Sequence, residues 1–302
     1  MTLYIPVHKV VRELDGKLLF AMKAARRGFS SIIGRSSKVR RYLKFGSPGI
    51  FFDFRMNQSR ATVEGVRHET FRQMGHEIWL FDEEVTTLDD PIAYSRTQIS
   101  KQVVEEASKI LAWSDFHADL VRGVSESTTV HVTGHPRYDV YDSRLRGIYD
   151  RGAGNHQKRF GRYLLVSSSF GELALGDVHA VNEKIKVNVA KGFLKDQADI
   201  ARFLDSVEFR RNTSQIFMRA LVKLANAHPK TNFVLRPHFT ETLKMWDTVR
   251  QAGLPNLHVV HEGPIASWIQ GSIGLLHHYC STAIEAHLLG KPVLSYVPLR
   301  DS

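Results

Sequence analysis

Short apolar runs alternate with helix-like stretches twice over in this 302-residue chain, and that alternation restricts the fold more than any other feature. A strand-sized run that is apolar at successive positions has to be buried on both faces, as in a parallel sheet covered by helices. In the first half the runs are Leu3–Val7, Phe29–Gly34, Gly49–Asp53, Glu77–Phe81, Lys109–Trp113 and Val130–Gly134, and helical patterns fall at Glu13–Arg27, Arg60–Met74 and Lys101–Ser108. In the second half the runs are Tyr163–Ser167, Asn232–Arg236, Leu257–Val260, Gly274–His277 and Pro292–Tyr296, and helices are expected at Thr213–Ala227, Thr240–Gly253 and Thr282–Leu289. The expected class is α/β, with two tandem doubly wound Rossmann-like domains at 1–140 and 163–302. The polar, basic, glycine-containing stretch 141–162 is expected as a linker. Residues 172–212 fit no period and read as a helical insertion or a mobile loop. The sequence stops just after what reads as an interior strand, so its C-terminal end reads as truncated, with exposed apolar surface expected around Val293 and Leu294.

Composition narrows the function classes. Hydrophobic residues make up 43% and charged residues 24%, the balance of a folded globular protein. The formal net charge of +10 favours anionic partners: nucleotides, nucleic acid or an anionic membrane surface. No nucleic-acid reading motif accompanies the charge, so no nucleic-acid partner is expected. The basic residues concentrate at Arg35–Lys44 beside Tyr42 and Phe45, which makes residues 35–45 a candidate surface for anionic lipid. With no secretory signal and no apolar run of about 18 residues, a cytoplasmic protein is expected, peripheral on the inner face of the membrane if residues 35–45 engage lipid. Cys280 is the only cysteine, which excludes an intrachain disulfide and a cysteine-based zinc site. The histidines lack the spacing of metal ligands, and His277 and His278, adjacent on a strand, point to opposite faces, so no metal is expected. P-loop, Gly-x-Gly-x-x-Gly and Gly-x-Ser-x-Gly patterns are also absent.

In an open parallel sheet, ligands bind outside the carboxyl ends of the strands. In the second half those positions hold Ser167, Ser168, Ser169 and Gly171; Arg236 and His238; His261, Glu262 and Gly263; and His277 to Thr282. Ser281 and Thr282 precede Glu285 in a capping-box pattern, which predicts a helix start offering amides to an anion, or else a plain cap without ligand. Arg236 and His238 can both donate to phosphate oxygens, with Pro237 stiffening the turn between them; the alternative is a surface arginine and a backbone-bonded histidine. The candidate nucleotide-binding set is therefore Ser168, Ser169, Arg236, His238, Glu262, Gly263, His278, Ser281, Thr282 and Glu285. In the first half, Lys9–Gly16, Asp82-Glu83-Glu84 and Gly134–Asp139 occupy the matching positions. A carboxylate or imidazole there can serve as general base, and the sequence does not rank them.

The stretch His277–Ser295 resembles the donor motif of GT-B glycosyltransferases, in which a Ser/Thr helix start holds the nucleotide phosphate and a Glu-Ala…Gly-Lys-Pro segment lines the ribose. Val11–Gly28, Thr133–Asp139 and Tyr163–Gly171 resemble the bacterial surface carbohydrate biosynthesis family, associated with lipopolysaccharide, O-antigen and capsule gene clusters. Arg236-Pro237-His238 with Ser281 and Thr282 is similar to the His-Pro plus Ser/Thr pair of CMP-sugar transferases, in the order Pro-His. The resemblance implies a GT-B-like fold whose domains face a cleft. It also implies transfer of a sugar from a nucleotide sugar, CMP-linked sugars included, to a glycan or lipid-linked acceptor. The nucleotide sugar is then a co-substrate and no further cofactor is implied. On that resemblance Arg236, His238, Ser281 and Thr282 hold the phosphate and Glu285 the ribose. Capsule Kdo-transferases use an Asp after the first strand of the second domain where this chain has Ser167-Ser168-Ser169, so no catalytic residue is assigned. Polyol-phosphate or glycerophosphate transfer on the same fold, and a non-catalytic scaffold in a surface-glycan assembly, are the alternatives.

Overall fold

The computed structural model describes residues 1–54, 56–57, 68–83, 91–171, 178–190 and 192–299. Glu84, residues 60–67 of the expected helix Arg60–Met74, and residues 172–177 and 191 of the stretch 172–212 lie outside them. The chain divides into two compact units, Met1–Asp142 and Ser143–Ser302.

The first unit is built on a six-stranded parallel sheet. Its strands are β1 (Thr2–Val7), β2 (Ser30–Arg35), β3 (Gly49–Asp53), β4 (Glu77–Phe81), β5 (Lys109–Ala112) and β6 (Val130–Val132), in the spatial order β2-β1-β3-β4-β5-β6. Successive residues of one strand feed opposite cores. Leu3, Ile5, Ile50 and Phe52 pack with Ala21 and Ala24 of the helix Val10–Ala25 on one face. Tyr4, Phe51, Ile78, Leu80 and Ile110 pack with Phe71, Val103 and Val104 on the other. This two-sided burial explains the continuous apolar runs. The run Phe29–Gly34, expected to be buried, is instead half-exposed along β2, because β2 is the sheet's edge.

The basic segment is a helix, Ser36–Leu43, and only part of it is available to a partner. Arg35, Lys38, Arg41, Tyr42, Lys44 and Phe45 are exposed, whereas Ser36, Val39, Arg40 and Leu43 are buried. Arg40 is 2% exposed and donates to Asp53 Oδ2 at 2.6 Å, with His68 Nε2 3.0 Å from the same oxygen. The expected surface patch 35–45 therefore loses Arg40, whose charge is spent inside the unit.

The second unit carries a five-stranded parallel sheet of β7 (Tyr163–Ser167), β8 (Asn232–Arg236), β9 (Leu257–Val259), β10 (Leu275–His277) and β11 (Val293–Ser295), in the order β11-β10-β7-β8-β9. Val166, Phe233 and Leu235 pack under Phe217, Met218, Leu221 and Trp246. The strand read as interior, β11, is at the sheet's edge among the described residues; Leu294 is 57% exposed and Val293 half-buried. Residues 178–227 are largely helical, as Val178–Ala190 and the 31-residue Gln197–Ala227. In the longer helix Val207 and then Thr213 to Ala225 supply the buried positions, while its first two turns are exposed or half-buried.

The expected linker is also structured. Asp150–Phe160 is a helix that belongs to the second unit and packs against the helix Ile265–Gly271. Its contacts use small residues: a Cβ on Gly152 would lie 2.7 Å from Ser267 Cβ, and only Ala153 and Phe160 are buried on its own account. The His156 ring stacks on Trp268 with centroids 3.5 Å apart, and Gln157 donates to the Gly271 carbonyl at 3.0 Å. A helix that docks through glycine and alanine reads as polar sequence, which is why composition alone marks it as a connection.

Candidate functional site

In the second sheet the chain runs from β7 outward through β8 and β9, then returns to place β10 on the opposite side of β7. The switch point between β7 and β10 is where an open α/β sheet offers a ligand crevice. Ser167 to Gly171 leave β7 and His278 to Thr282 leave β10, so this crevice is bounded by two of the segments singled out in sequence. The His278 amide donates to the Ser167 carbonyl at 3.2 Å, tying the two loops together.

Five polar side-chain atoms on four residues collect here without a hydrogen bond. Ser167 Oγ, both ring nitrogens of His278, Thr282 Oγ1 and Arg236 Nε are buried and make no hydrogen bond among the described residues. Ser167 is 2% and His278 6% exposed. Buried polar atoms are nearly always hydrogen-bonded, so a cluster of exceptions at a strand switch point marks a place for a polar ligand. The backbone adds a second sign: Tyr279 has φ +42°, in the left-handed region that a non-glycine residue enters at a cost. Next to it in the chain, His278 stacks on Phe170, centroids 4.5 Å apart.

Arg236, at the end of β8, supplies the positive charge. Its guanidinium donates to the Gly263 carbonyl at 2.7 Å and lies over the Trp268 ring at 5.6 Å. Burial pulls its pKa down to about 10, and the Glu262 and Glu285 carboxylates oppose that; it stays charged at neutral pH. His278 is neutral there, its pKa pushed down to about 4 by burial and then by His277. The site therefore offers one cation and several neutral donors.

Glu241, which sequence reasoning missed, organises the β7 loop. Its carboxylate, 1% exposed, accepts from Ser168 Oγ at 2.6 Å, from the Phe170 and Gly171 amides at 2.7 and 3.3 Å, and from Trp246 Nε1 at 3.2 Å. Burial nevertheless raises its pKa, against those hydrogen bonds. The only hint in the sequence is its place five residues past Arg236, where a carboxylate reaches back over the neighbouring strand end.

The other expected residues are placed as follows. Ser168 Oγ accepts from the His238 amide at 3.3 Å, and His238 Nδ1 lies 2.8 Å from Thr240 Oγ1, so these strand ends meet. Ser169 is half-buried. Glu262 is exposed and pairs with Arg159, while Gly263, at φ +66°, presents its carbonyl to Arg236. The capping box does not form: Ser281 has helical dihedrals, φ −61° and ψ −13°, and its side chain caps nothing. Glu285 is 1% exposed and acts on Arg236 through its charge.

Solved structures resemble this architecture over nearly the whole chain. S. aureus MnaA, in a co-structure with UDP, is similar at a TM-score of 0.58 and 12% identity, covering 98% of this chain and 78% of that one. The UDP-GlcNAc 2-epimerase of Methanocaldococcus jannaschii gives 0.57 and 8%, over 97% and 82%. That of Neisseria meningitidis, bound to UDP-GlcNAc, gives 0.54 and 13%, over 100% and 82%. The likeness is one of fold. This chain has the GT-B-like α/β fold, two tandem doubly wound units with parallel sheets. No family model and no curated protein matches it. Within that fold the β7–β10 switch point is the candidate site, marked by its own geometry and not by any aligned residue.

Proposed function

We propose that this protein is a glycosyltransferase of cell-surface polysaccharide biosynthesis, of the lipopolysaccharide, O-antigen or capsule type, that takes its nucleotide-sugar donor at the β7–β10 switch point. The observation that carries the reading is the cluster of buried, unpartnered groups on Ser167, Arg236, His278 and Thr282. A nucleotide phosphate is a fitting occupant because it brings acceptor oxygens and negative charge to a set made of donors and one guanidinium. In transfer, the bond from the anomeric carbon to the phosphate oxygen breaks and charge grows on that oxygen. A guanidinium already fixed by Gly263 and Trp268 stabilises that charge without reorganising. His278, neutral, supplies an N–H without adding a second cation, and Glu241 keeps the Ser168 loop in place. The acceptor is a glycan or a lipid-linked glycan.

A second reading is epimerisation of the sugar while it remains nucleotide-derived, favoured by the UDP and UDP-GlcNAc that the structurally similar proteins hold. Both readings share the nucleotide site and differ in whether an acceptor is consumed. Incubation with UDP-GlcNAc and with CMP-linked sugars, with and without a glycan acceptor, separates them by product NMR. Transfer yields a new glycosidic linkage only with acceptor present, and epimerisation yields an isomeric sugar without it. In calorimetry, Arg236→Ala weakens nucleotide binding about 10- to 100-fold, the worth of a charge-assisted hydrogen bond of about 1.5–3 kcal/mol. Equal affinity of variant and parent rejects the site.

A further inference from the structure

The loop leaving β10 holds Tyr279 in a conformation that a tyrosine enters at a cost. At φ +42° it is the one non-glycine residue with positive φ among the described residues, in a region that glycine occupies freely and a residue with a Cβ does not. The turn is fixed on both sides of it. The His278 amide donates to the Ser167 carbonyl at 3.2 Å, the Cys280 amide to His277 Nδ1 at 3.4 Å, and the Ala283 amide to the Cys280 carbonyl at 3.1 Å. Glycine would meet this turn without steric cost, so the tyrosine side chain answers to a demand other than the turn. Strain that the surroundings hold in place gathers at ligand clamps, where the strained residue does its work.

The neighbours of the ring say what that demand is. Among the described residues three rings pack against His278: Phe170, stacked with centroids 4.5 Å apart, Phe217, edge-on at 6.1 Å, and Tyr279, perpendicular at 5.1 Å. Phe170 and Phe217 are sealed in the core of the unit, whereas Tyr279 is 58% exposed. Tyr279 is therefore the ring that offers aromatic surface to solvent beside the two His278 nitrogens that make no hydrogen bond. A phosphate drawn to His278 and Thr282 does not arrive bare. It carries a nucleoside and, in a donor, a sugar. An exposed aromatic face next to the phosphate takes the flat face of a base or the C–H face of a sugar, removing apolar surface from water without adding charge. Tyrosine does so with few rotatable bonds to order.

We propose that Tyr279 is a specificity-determining residue of the β7–β10 site, stacking on a ring that the bound phosphate carries. The assignment rests on the nucleotide reading above, which the phosphate contacts of Arg236, His278 and Thr282 can satisfy without it. The strained backbone holds the ring beside His278 before a ligand arrives, so that little ordering remains to be done on binding.

The test is calorimetry on the full chain with UDP, CMP, UDP-GlcNAc and CMP-N-acetylneuraminate, for the parent, Tyr279→Phe, Tyr279→Ala, Tyr279→Gly and Arg236→Ala. The ligand that the parent binds most tightly loses about 5- to 150-fold in Tyr279→Ala, the range spanned by stacking one base on an aromatic side chain. Tyr279→Gly loses the same to within about threefold, because both variants lack the ring although they differ in the strain of the turn. Tyr279→Phe, which keeps the ring, stays within about threefold of the parent. A loss shared by the nucleotide and its sugar derivative places the ring on the nucleoside; a loss confined to the sugar derivative places it on the sugar. Without ligand, Tyr279→Gly melts about 1–3 °C above Tyr279→Ala, the reverse of their order at an ordinary position. Full affinity in Tyr279→Ala with weakened Arg236→Ala overturns the Tyr279 assignment and leaves the site standing. Tyr279→Phe as weak as Tyr279→Ala overturns stacking, and Tyr279→Gly melting below Tyr279→Ala overturns the strained clamp. Full affinity in Arg236→Ala as well, or a parent that binds none of the four ligands, overturns the nucleotide reading and the assignment with it.

Discussion

Arg236 and Glu83 show how burial acts on opposite charges in one chain. For Arg236, burial lowers the pKa to about 10, still far enough above neutrality to leave the cation intact. For Glu83, whose carboxylate lies 2.9 Å from Lys17 Nζ, burial raises the pKa to about 7, which puts both protonation states within reach. The stability consequence has a definite sign. A carboxyl whose pKa is higher in the folded than in the unfolded state binds more protons when folded, so its contribution is fully present below the unfolded value near 4.5 and is lost as pH rises through about 7. Glu83→Gln, permanently neutral, therefore melts at a higher temperature than the parent at pH 8 and at nearly the same temperature at pH 4.5. A melting temperature that falls at pH 8 would mean that the ion pair with Lys17 outweighs burial. At this scale the sequence marks positions better than roles: Arg236, His238 and His278 stand at strand ends as read, while Glu241 and the isolation of Glu83 with Lys17 depend on three-dimensional proximity that no spacing encodes.

The helix Ser36–Leu43 shows how one short element divides its charges. Arg40 faces inward to Asp53, and Lys38 and Arg41 face outward beside Tyr42, 60% exposed, and Phe45, 82% exposed. Removing one partner of a buried ion pair costs about 3–5 kcal/mol, whereas exposed charges contribute little to stability. Arg40→Met therefore destabilises the first unit strongly in denaturant unfolding. Lys38→Glu with Arg41→Glu leaves the unfolding midpoint unchanged and removes binding to vesicles of phosphatidylserine and phosphatidylcholine at low salt, because each outward basic residue contributes about 1 kcal/mol at an anionic surface. Vesicle binding that survives the double reversal excludes this face as the contact. Elements with a strong period were legible in sequence, including β1, β3, β4, β7 and β8. The helix Asp150–Phe160 was not, because glycines and alanine make its contact, and neither was the first part of Gln197–Ala227, which packs on little.

For the whole molecule, the α/β class and the two successive sheets follow from alternation, because a parallel strand buried on both faces leaves a continuous apolar run. Strand order does not follow. Nothing in the sequence says that β2 and β11 are edges or that β10 sits beside β7, yet the order places the β7–β10 switch point and so the candidate site. The account stands or falls on that site. Crystals of the full chain soaked with UDP decide it most directly. The account predicts phosphate oxygens within hydrogen-bond distance of Thr282 Oγ1 and a His278 ring nitrogen, with Arg236 alongside. UDP bound elsewhere, with Ser167, His278 and Thr282 left without partners, would contradict it.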